Sequence, residues 1–432
     1  MEGIDMPDFK IKATWIRTKD TDVLKKTFAK FLFQVGEYVL TRNVNIWDHK
    51  LEDSVIVSTY PLAKWFAYYW WRLENEFMPN LDKEISFDWR TAHEIASANN
   101  GFVWPQITLA SDGEFINVYS QILSMPGQSV EYYYTFDNPQ TISLPDFQQE
   151  VSNFIESTIA KAGKTDSDLK DLWGIVTEEQ KDQSCRRIRQ MEAALGFDPE
   201  ECPEKLLKLA FDFQSQTGAN SIKEVVPLLK NNPKLQEKLC DSEGIEISVD
   251  IPKKQCDPNK FLLPWQRGVN AARTLRKTLD LKNRPVTNKV IYNTLGIAES
   301  DLEKLNSDVS IPVSVGRNLS ENKWSLLPRC KKFQTSQRFE LSRLLGDAIV
   351  FPNSNNEWLV TSDYSSYRQK VQKAFAAEFL CPIDSLCDFL RKDFSVEKQE
   401  EASAHFNVSL QTVNSLLVNN HIIGRDGLLG FK

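Results

Sequence analysis

Only four histidines occur in 432 residues, His49, His93, His405 and His421. They are scattered, so no two stand at the four-residue spacing with which a helix presents a pair of imidazoles to one metal ion. Cysteine is sparse as well. Cys185, Cys202, Cys240, Cys256, Cys330, Cys381 and Cys387 make an odd set with no C-x-x-C. That pattern predicts free thiols in a reducing compartment and argues against a zinc cluster or a disulfide framework. Cys381 and Cys387 have no base nearby in sequence and are expected to be small buried side chains rather than nucleophiles.

Long apolar runs are missing too. The richest window, Tyr60 to Leu73, is interrupted by Lys64 and Arg72 and falls short of the roughly 20 residues of a membrane span. The first eight residues lack the basic start and apolar run of an export signal. A cytoplasmic protein with no membrane partner is expected. Positive charge is in deficit: 52 Lys and Arg against 59 Asp and Glu leave −7, which speaks against a protein that coats nucleic acid. There is no G-x-x-x-x-G-K-[ST], no G-x-G-x-x-G and no G-x-S-x-G. Nucleotide-hydrolase and α/β-hydrolase classes therefore have no support.

What is present suffices for two or three domains with cores of their own. The pattern predicts a multidomain α+β protein. Residues 1–142 read as an α/β unit, with a strand at Lys10–Ile16, helical character at Asp20–Phe31 and a strand at Val130–Phe136. Within Tyr60–Leu73, Leu62, Trp65, Phe66, Tyr69, Trp70 and Leu73 share one helical face, the mark of a core-facing stripe. Asp112-Gly113 between two β-rich runs predicts a tight hairpin. Residues 143–250 read as a helical domain. A polar run from Cys240, followed by Asp250–Lys254 and Asp257-Pro258, reads as a linker. Residues 258–394 form a further, mostly helical domain, and 395–432 a terminal module.

The order of four short motifs in 258–420 carries a resemblance. Trp265-Gln266-Arg267-Gly268 opens an amphipathic helix. Arg338-Phe339 precedes Arg343-Leu344-Leu345-Gly346-Asp347. Ala374-Phe375-Ala376-Ala377-Glu378-Phe379-Leu380-Cys381-Pro382 follows, and then Phe406-x-Val408-Ser409. Together they resemble the ImmA/IrrE-type metallopeptidase domain, a zincin-like fold. In that family the middle motif is R-F-x-x-x-H-E-L-G-H. The resemblance places its first histidine on Arg343, its general base on Leu344 and its second histidine on Asp347. Its third, acidic ligand falls in Arg368–Lys373, where no acid occurs. No catalytic residue, no metal and no cofactor is therefore expected. A pseudo-active site of Arg343, Leu344, Asp347 and Glu378 remains, with Arg343 paired to Asp347 or Glu378 in place of the metal. His93-Glu94 lacks a second histidine four residues on and reads as ordinary surface.

Two features bear on partners. Glu397–Ala404 and Leu410–Val418 around Asn407-Val408-Ser409 resemble a helix-turn-helix, with a small hairpin at His421–Phe431. Ser409–Asn420, however, contains no Lys or Arg with which to hold phosphates, so packing against the neighbouring domain is expected. A basic stretch, Arg267, Arg273, Arg276, Lys277, Lys282, Arg284 and Lys289, stands against Asp280 alone. It is a candidate contact for nucleic acid or a protein partner, with a solvated face as the plainer reading. The resemblance implies a bacterial, catalytically inactive regulatory protein that binds a repressor, toxin or phage-defence component, with self-association open. The alternatives are a DNA-binding transcriptional regulator and a hydrolase with an unrecognised site.

Overall fold

The computed structural model describes residues 8–79, 84–122, 127–133, 139–163, 168–249, 262–306, 311–320, 322–329, 332–351 and 357–424. The expected linker segments Asp250–Lys254 and Asp257-Pro258, Cys256, Cys330, most of the His421–Phe431 hairpin and the end of the Val130–Phe136 strand lie outside them. The chain mixes helices with small antiparallel sheets. It divides into two units, Met1–Leu207 and Lys208–Lys432, each with its own apolar core. No helix among the described residues is long and apolar enough to cross a membrane.

In the first unit β1 (Phe9–Trp15) precedes a single-turn α1 (Val23–Lys26), then β2 (Phe28–Val35), β3 (Tyr38–Val39), β4 (Asn43–Asn45), β5 (Leu51–Glu52) and β6 (Val55–Ser58). β1 pairs antiparallel with β2, which also pairs with β3 and β6. The helix expected over Asp20–Phe31 is thus confined to α1. Ala29, Phe31, Phe33 and Val35 are buried at alternate positions, and period two defines a strand.

The aromatic segment forms two helices, α2 (Tyr60–Tyr68) and α3 (Trp70–Asn75), which break at Tyr69. Leu62, Trp65, Phe66, Trp70 and Leu73 are all buried in the core. After α4 (Phe87–His93), β7 (Gln106–Ser111) and β8 (Phe115–Gln121) make the expected hairpin. Asp112 Oδ1 accepts from the Glu114 and Phe115 amides, and Gly113 takes φ 97°. β9 (Val130–Tyr132) pairs with β4, and β10 (Gln140–Ser143) with β8.

The helices of the expected middle domain join both units. α5 (Leu144–Ala162) inserts Phe147, Val151, Phe154 and Ile155 into the first core. α6 (Asp168–Lys181) and α7 (Gln183–Ala194) follow, and the division falls within α8 (Glu204–Thr217). α9 (Ile222–Leu229) and α10 (Leu235–Asp241) belong to the second unit. The polar run read as the start of a linker leads directly into β11 (Ile245–Ser248). This strand pairs with a sheet partner some 80 residues away in sequence, which no local pattern announces.

The rest of the second unit comprises α11 (Pro264–Thr278), α12 (Asn288–Thr294), β12 (Ser314–Ser320), β13 (Lys323–Leu327), α13 (Gln334–Val350), β14 (Leu359–Thr361), α14 (Tyr367–Leu380), α15 (Ile383–Leu390), α16 (Val396–Phe406) and α17 (Leu410–Asn419). The sheet order is β11-β13-β12-β14, all antiparallel. Two glycines set how closely the helices approach. A Cβ on Gly268 of α11 would lie 2.4 Å from the Val371 carbonyl of α14, and one on Gly346 of α13 would lie 2.6 Å from the Phe375 ring. Phe406, Val408, Val413 and Leu417 join the same core as α13 and α14. Arg338 fixes that attachment: its guanidinium donates to the Asn407 carbonyl (3.1 Å), the Val286 carbonyl (2.6 Å) and Asn288.

Candidate functional site

α13 carries an unusual load of buried polarity. Arg338, Glu340, Ser342, Arg343 and Asp347 are all buried, and buried charges persist only where they are paired and hydrogen-bonded. Their partners converge from β12, β14 and α14.

Glu340 sits at the centre. Arg329 grips it with Nε to Oε1 at 2.8 Å and Nη2 to Oε2 at 3.1 Å. The Ser314 hydroxyl donates to it at 2.7 Å, as does the Thr361 hydroxyl. Arg343, one helical turn on, donates Nη1 to Glu340 Oε2 at 3.3 Å. Its Nη2 donates to the Ser362 carbonyl (2.6 Å) and to Gln369 Oε1. Burial lowers the pKa of the Arg343 guanidinium, with Glu340 opposing. Asp347 has no exposure and is held bidentately by Arg368, both contacts at 2.7 Å, and by the Val360 amide at 3.1 Å. Burial disfavours the Arg368 cation, but the neighbouring carboxylates, Asp347 foremost with Glu224 and Glu357, together outweigh it and raise its pKa. Arg368 also donates to the Ser221 hydroxyl (2.8 Å) and the Trp358 carbonyl (2.9 Å). Glu224 of α9 accepts from the Ser362 and Ser366 hydroxyls, and burial raises its pKa.

The structure thus brings Arg343 and Asp347 into one cluster but not into a pair. Arg343 turns to Glu340, while Asp347 turns to Arg368 on α14. Glu378 does not join them. It faces α11, accepts from Arg273 Nε at 2.7 Å and from the Ile383 amide at 3.2 Å, and so caps the start of α15. Leu344 is fully buried among core side chains. Glu340, Arg329, Arg368 and Gln369 were not singled out from sequence. Glu340–Arg343 at i,i+3 was a usable signal, and so was Arg368 in the very segment searched for an acid. A metal does not fit this arrangement. Both Asp347 oxygens are taken by a guanidinium, and Arg343 places another cation alongside. Among the described residues no group of three or more His, Cys, Asp or Glu is placed to hold a metal ion.

The basic stretch is not one face. Arg276 is buried and donates to the Phe379, Lys282 and Arg284 carbonyls. Arg267 donates to the Val350 carbonyl and lies over the Phe351 ring, and Arg273 pairs with Glu378. Arg284 is exposed but donates to the Asp280 carbonyl. Lys277, Lys282 and Lys289 face solvent.

The first unit holds a second ionic cluster. Arg72 is buried and contacts Glu76 (2.7 Å), Asp88 (3.1 Å) and Asp198 (3.2 Å). His93, read from sequence as surface, is completely buried: Nδ1 lies 2.7 Å from the Leu109 carbonyl, Nε2 3.1 Å from Glu76, and the ring stacks on Trp89. Its neighbours in sequence gave no sign of the pairing with Glu76, which lies on the segment after α3. Glu74 is also buried, and burial raises its pKa to about 7 against a hydrogen bond from Gln148.

No protein-family model, no curated protein and no solved structure matches this chain.

Proposed function

We propose that this chain is a catalytically inactive regulatory protein that acts by binding a protein partner, its second unit resembling the ImmA/IrrE-type metallopeptidase domain with the metal site replaced by ion pairs. One observation carries the reading. The position of the second histidine holds Asp347, joined bidentately to Arg368 from the segment that would supply the third ligand. The first-histidine position holds a buried arginine, and the general-base position a core leucine. By the same resemblance the partner is a repressor, a toxin or a defence component, met in the cytoplasm. The nucleic-acid reading draws less support, because three of the seven basic residues, Arg267, Arg273 and Arg276, are spent within the fold.

Two measurements test this. Metal analysis of purified protein is expected to find far less than one equivalent of zinc, and chelator is expected to leave its unfolding unchanged. A retained equivalent whose removal destabilises the protein would overturn the reading. A pull-down of the intact chain from native cells is expected to recover a protein. Recovery of DNA alone, abolished by Lys282→Glu with Arg284→Glu, would favour the transcriptional regulator.

A further inference from the structure

Each ring nitrogen of His93 on α4 faces an acceptor. Nδ1 lies 2.7 Å from the Leu109 carbonyl of β7, and Nε2 lies 3.1 Å from Glu76 Oε2 on the segment after α3. A carbonyl can only accept, so Nδ1 carries a hydrogen. An ionised carboxylate can only accept as well, so a bond from Nε2 needs a second hydrogen. A ring with both is an imidazolium. The alternative is a protonated Glu76 that donates to a neutral ring. Against it, the same Oε2 also accepts from Arg72 Nε at 2.7 Å, and an oxygen so placed is stabilised as an anion. Burial pushes the Glu76 carboxyl up, but His93 and Arg72 outweigh it and hold it below its usual range.

The surroundings suit a charged ring. His93 has no exposure, so solvent offers neither nitrogen a substitute. Trp89, four residues earlier, stacks on it with centroids 4.1 Å apart and planes 11° from parallel, and an indole face attracts a cation. Among the described residues Glu76 is the only ionisable side chain bonded to the ring, and β7 carries none of its own. The charges on α4 are engaged elsewhere, Asp88 with Arg72 and Arg90 with Glu94. Arg72, which reaches the ring only through Glu76, also holds Asp198. Glu74, the other buried acid of α3, accepts from Gln148 of α5.

We propose that α4 is a proton-controlled element, docked on β7 and on the segment after α3 while His93 is an imidazolium and released when the ring becomes neutral. Deprotonation removes the Nε2 hydrogen, because the Leu109 carbonyl retains the one on Nδ1. The Nε2 lone pair then points at a buried carboxylate oxygen, and attraction turns into repulsion. Acid therefore favours docking, and base releases it. α4 begins at Phe87, which is 84% exposed, so the proton on His93 controls how this aromatic side chain is held out to solvent. The device lies wholly within the first unit. It goes beyond the partner-binding reading and does not depend on it.

Ring-nitrogen NMR of the full chain carrying isotope-labelled histidine reads the charge directly, since only four histidines are present. His93 is assigned by elimination with His49→Gln, His405→Gln and His421→Gln, at three exposed positions. At about pH 5 His93 should show two nearly equivalent, protonated nitrogens. As the pH is raised through the titration of the ring, Nε2 alone should lose its hydrogen. Over the same range hydrogen exchange of α4 peptides, corrected for its intrinsic pH dependence, should quicken roughly ten- to a hundredfold, the worth of a hydrogen bond to a charged group. A Glu74→Gln background removes the titration of that second buried acid. Glu76→Gln offers an amide donor to the neutral Nε2, so α4 should stay docked and its pH response should vanish. A neutral His93 ring at the starting pH, α4 exchange that stays level while His93 loses its proton, or an undiminished pH response in Glu76→Gln would overturn the proposal.

Discussion

Replacing Arg368 by methionine probes the second unit most directly. Asp347 has no exposure; Arg368 donates two hydrogen bonds to it and the Val360 amide a third. In Arg368→Met the carboxylate stays buried with a single donor. Removing one partner of such a pair costs about 3–5 kcal/mol. The double variant Arg368→Met with Asp347→Leu removes both charges and should recover most of that loss, because apolar replacement of a whole buried pair is often close to neutral. Hydrogen exchange of peptides from α13 and α14 isolates this region from the first unit. A loss of about 3 kcal/mol speeds exchange more than roughly a hundredfold. If the single variant costs less than about 1 kcal/mol, or the double variant is as unstable as the single, the ion pair is not what holds α13 to α14.

Glu74 predicts a pH dependence in the first unit. Its folded pKa, about 7, lies above its ordinary 4.5, so the folded state holds the proton more tightly. Its contribution is therefore complete below about pH 4.5 and is lost as pH rises toward 7, a change on the order of 3 kcal/mol. Glu74→Gln should flatten that slope and resist urea better than the parent at pH 8; an unchanged slope would contradict the burial argument. Gly268→Ala should destabilise by about 1–3 kcal/mol or more, because its Cβ meets the Val371 backbone carbonyl; a neutral result in urea would mean that α11 and α14 do not approach so closely. Writing a histidine pair and a glutamate into α13 with Arg343→His, Leu344→Glu and Asp347→His should yield no tight zinc binding by calorimetry and a less stable protein, since Arg368 and Glu340 lose partners and a glutamate enters the core. Tight binding of one zinc by that variant would count against the ion-pair cluster as a barrier to metal.

The elements legible in the sequence are those whose cause is local. The hairpin at Asp112-Gly113 and the aromatic stripe of α2 and α3 each rest on residues within a few positions of one another. β11 and β13 were invisible for the opposite reason. Four residues in β11, which alternate in burial, and five in β13 become strands because each run completes the other's ladder. At the site, Arg343 and Asp347 were singled out from sequence, and both are buried on α13. The partners of Arg343 and Asp347 were not, because the i,i+4 rule describes exposed pairs on one helix, whereas buried charges take whichever partner packing brings. Here Glu340 lay one turn back and Arg368 lay on another helix.

That difference bears on how the elements around α13 are held together. In this chain Glu340 gathers Arg329 from the segment after β13, the Ser314 hydroxyl of β12 and Arg343 of its own helix, while Asp347 gathers Arg368 of α14 and the Val360 amide of β14. Sheet and helices are thus tied together by two carboxylates and three guanidiniums. Loss of Arg368 would leave Asp347 buried without an opposite charge, and loss of Glu340 would do the same to Arg343.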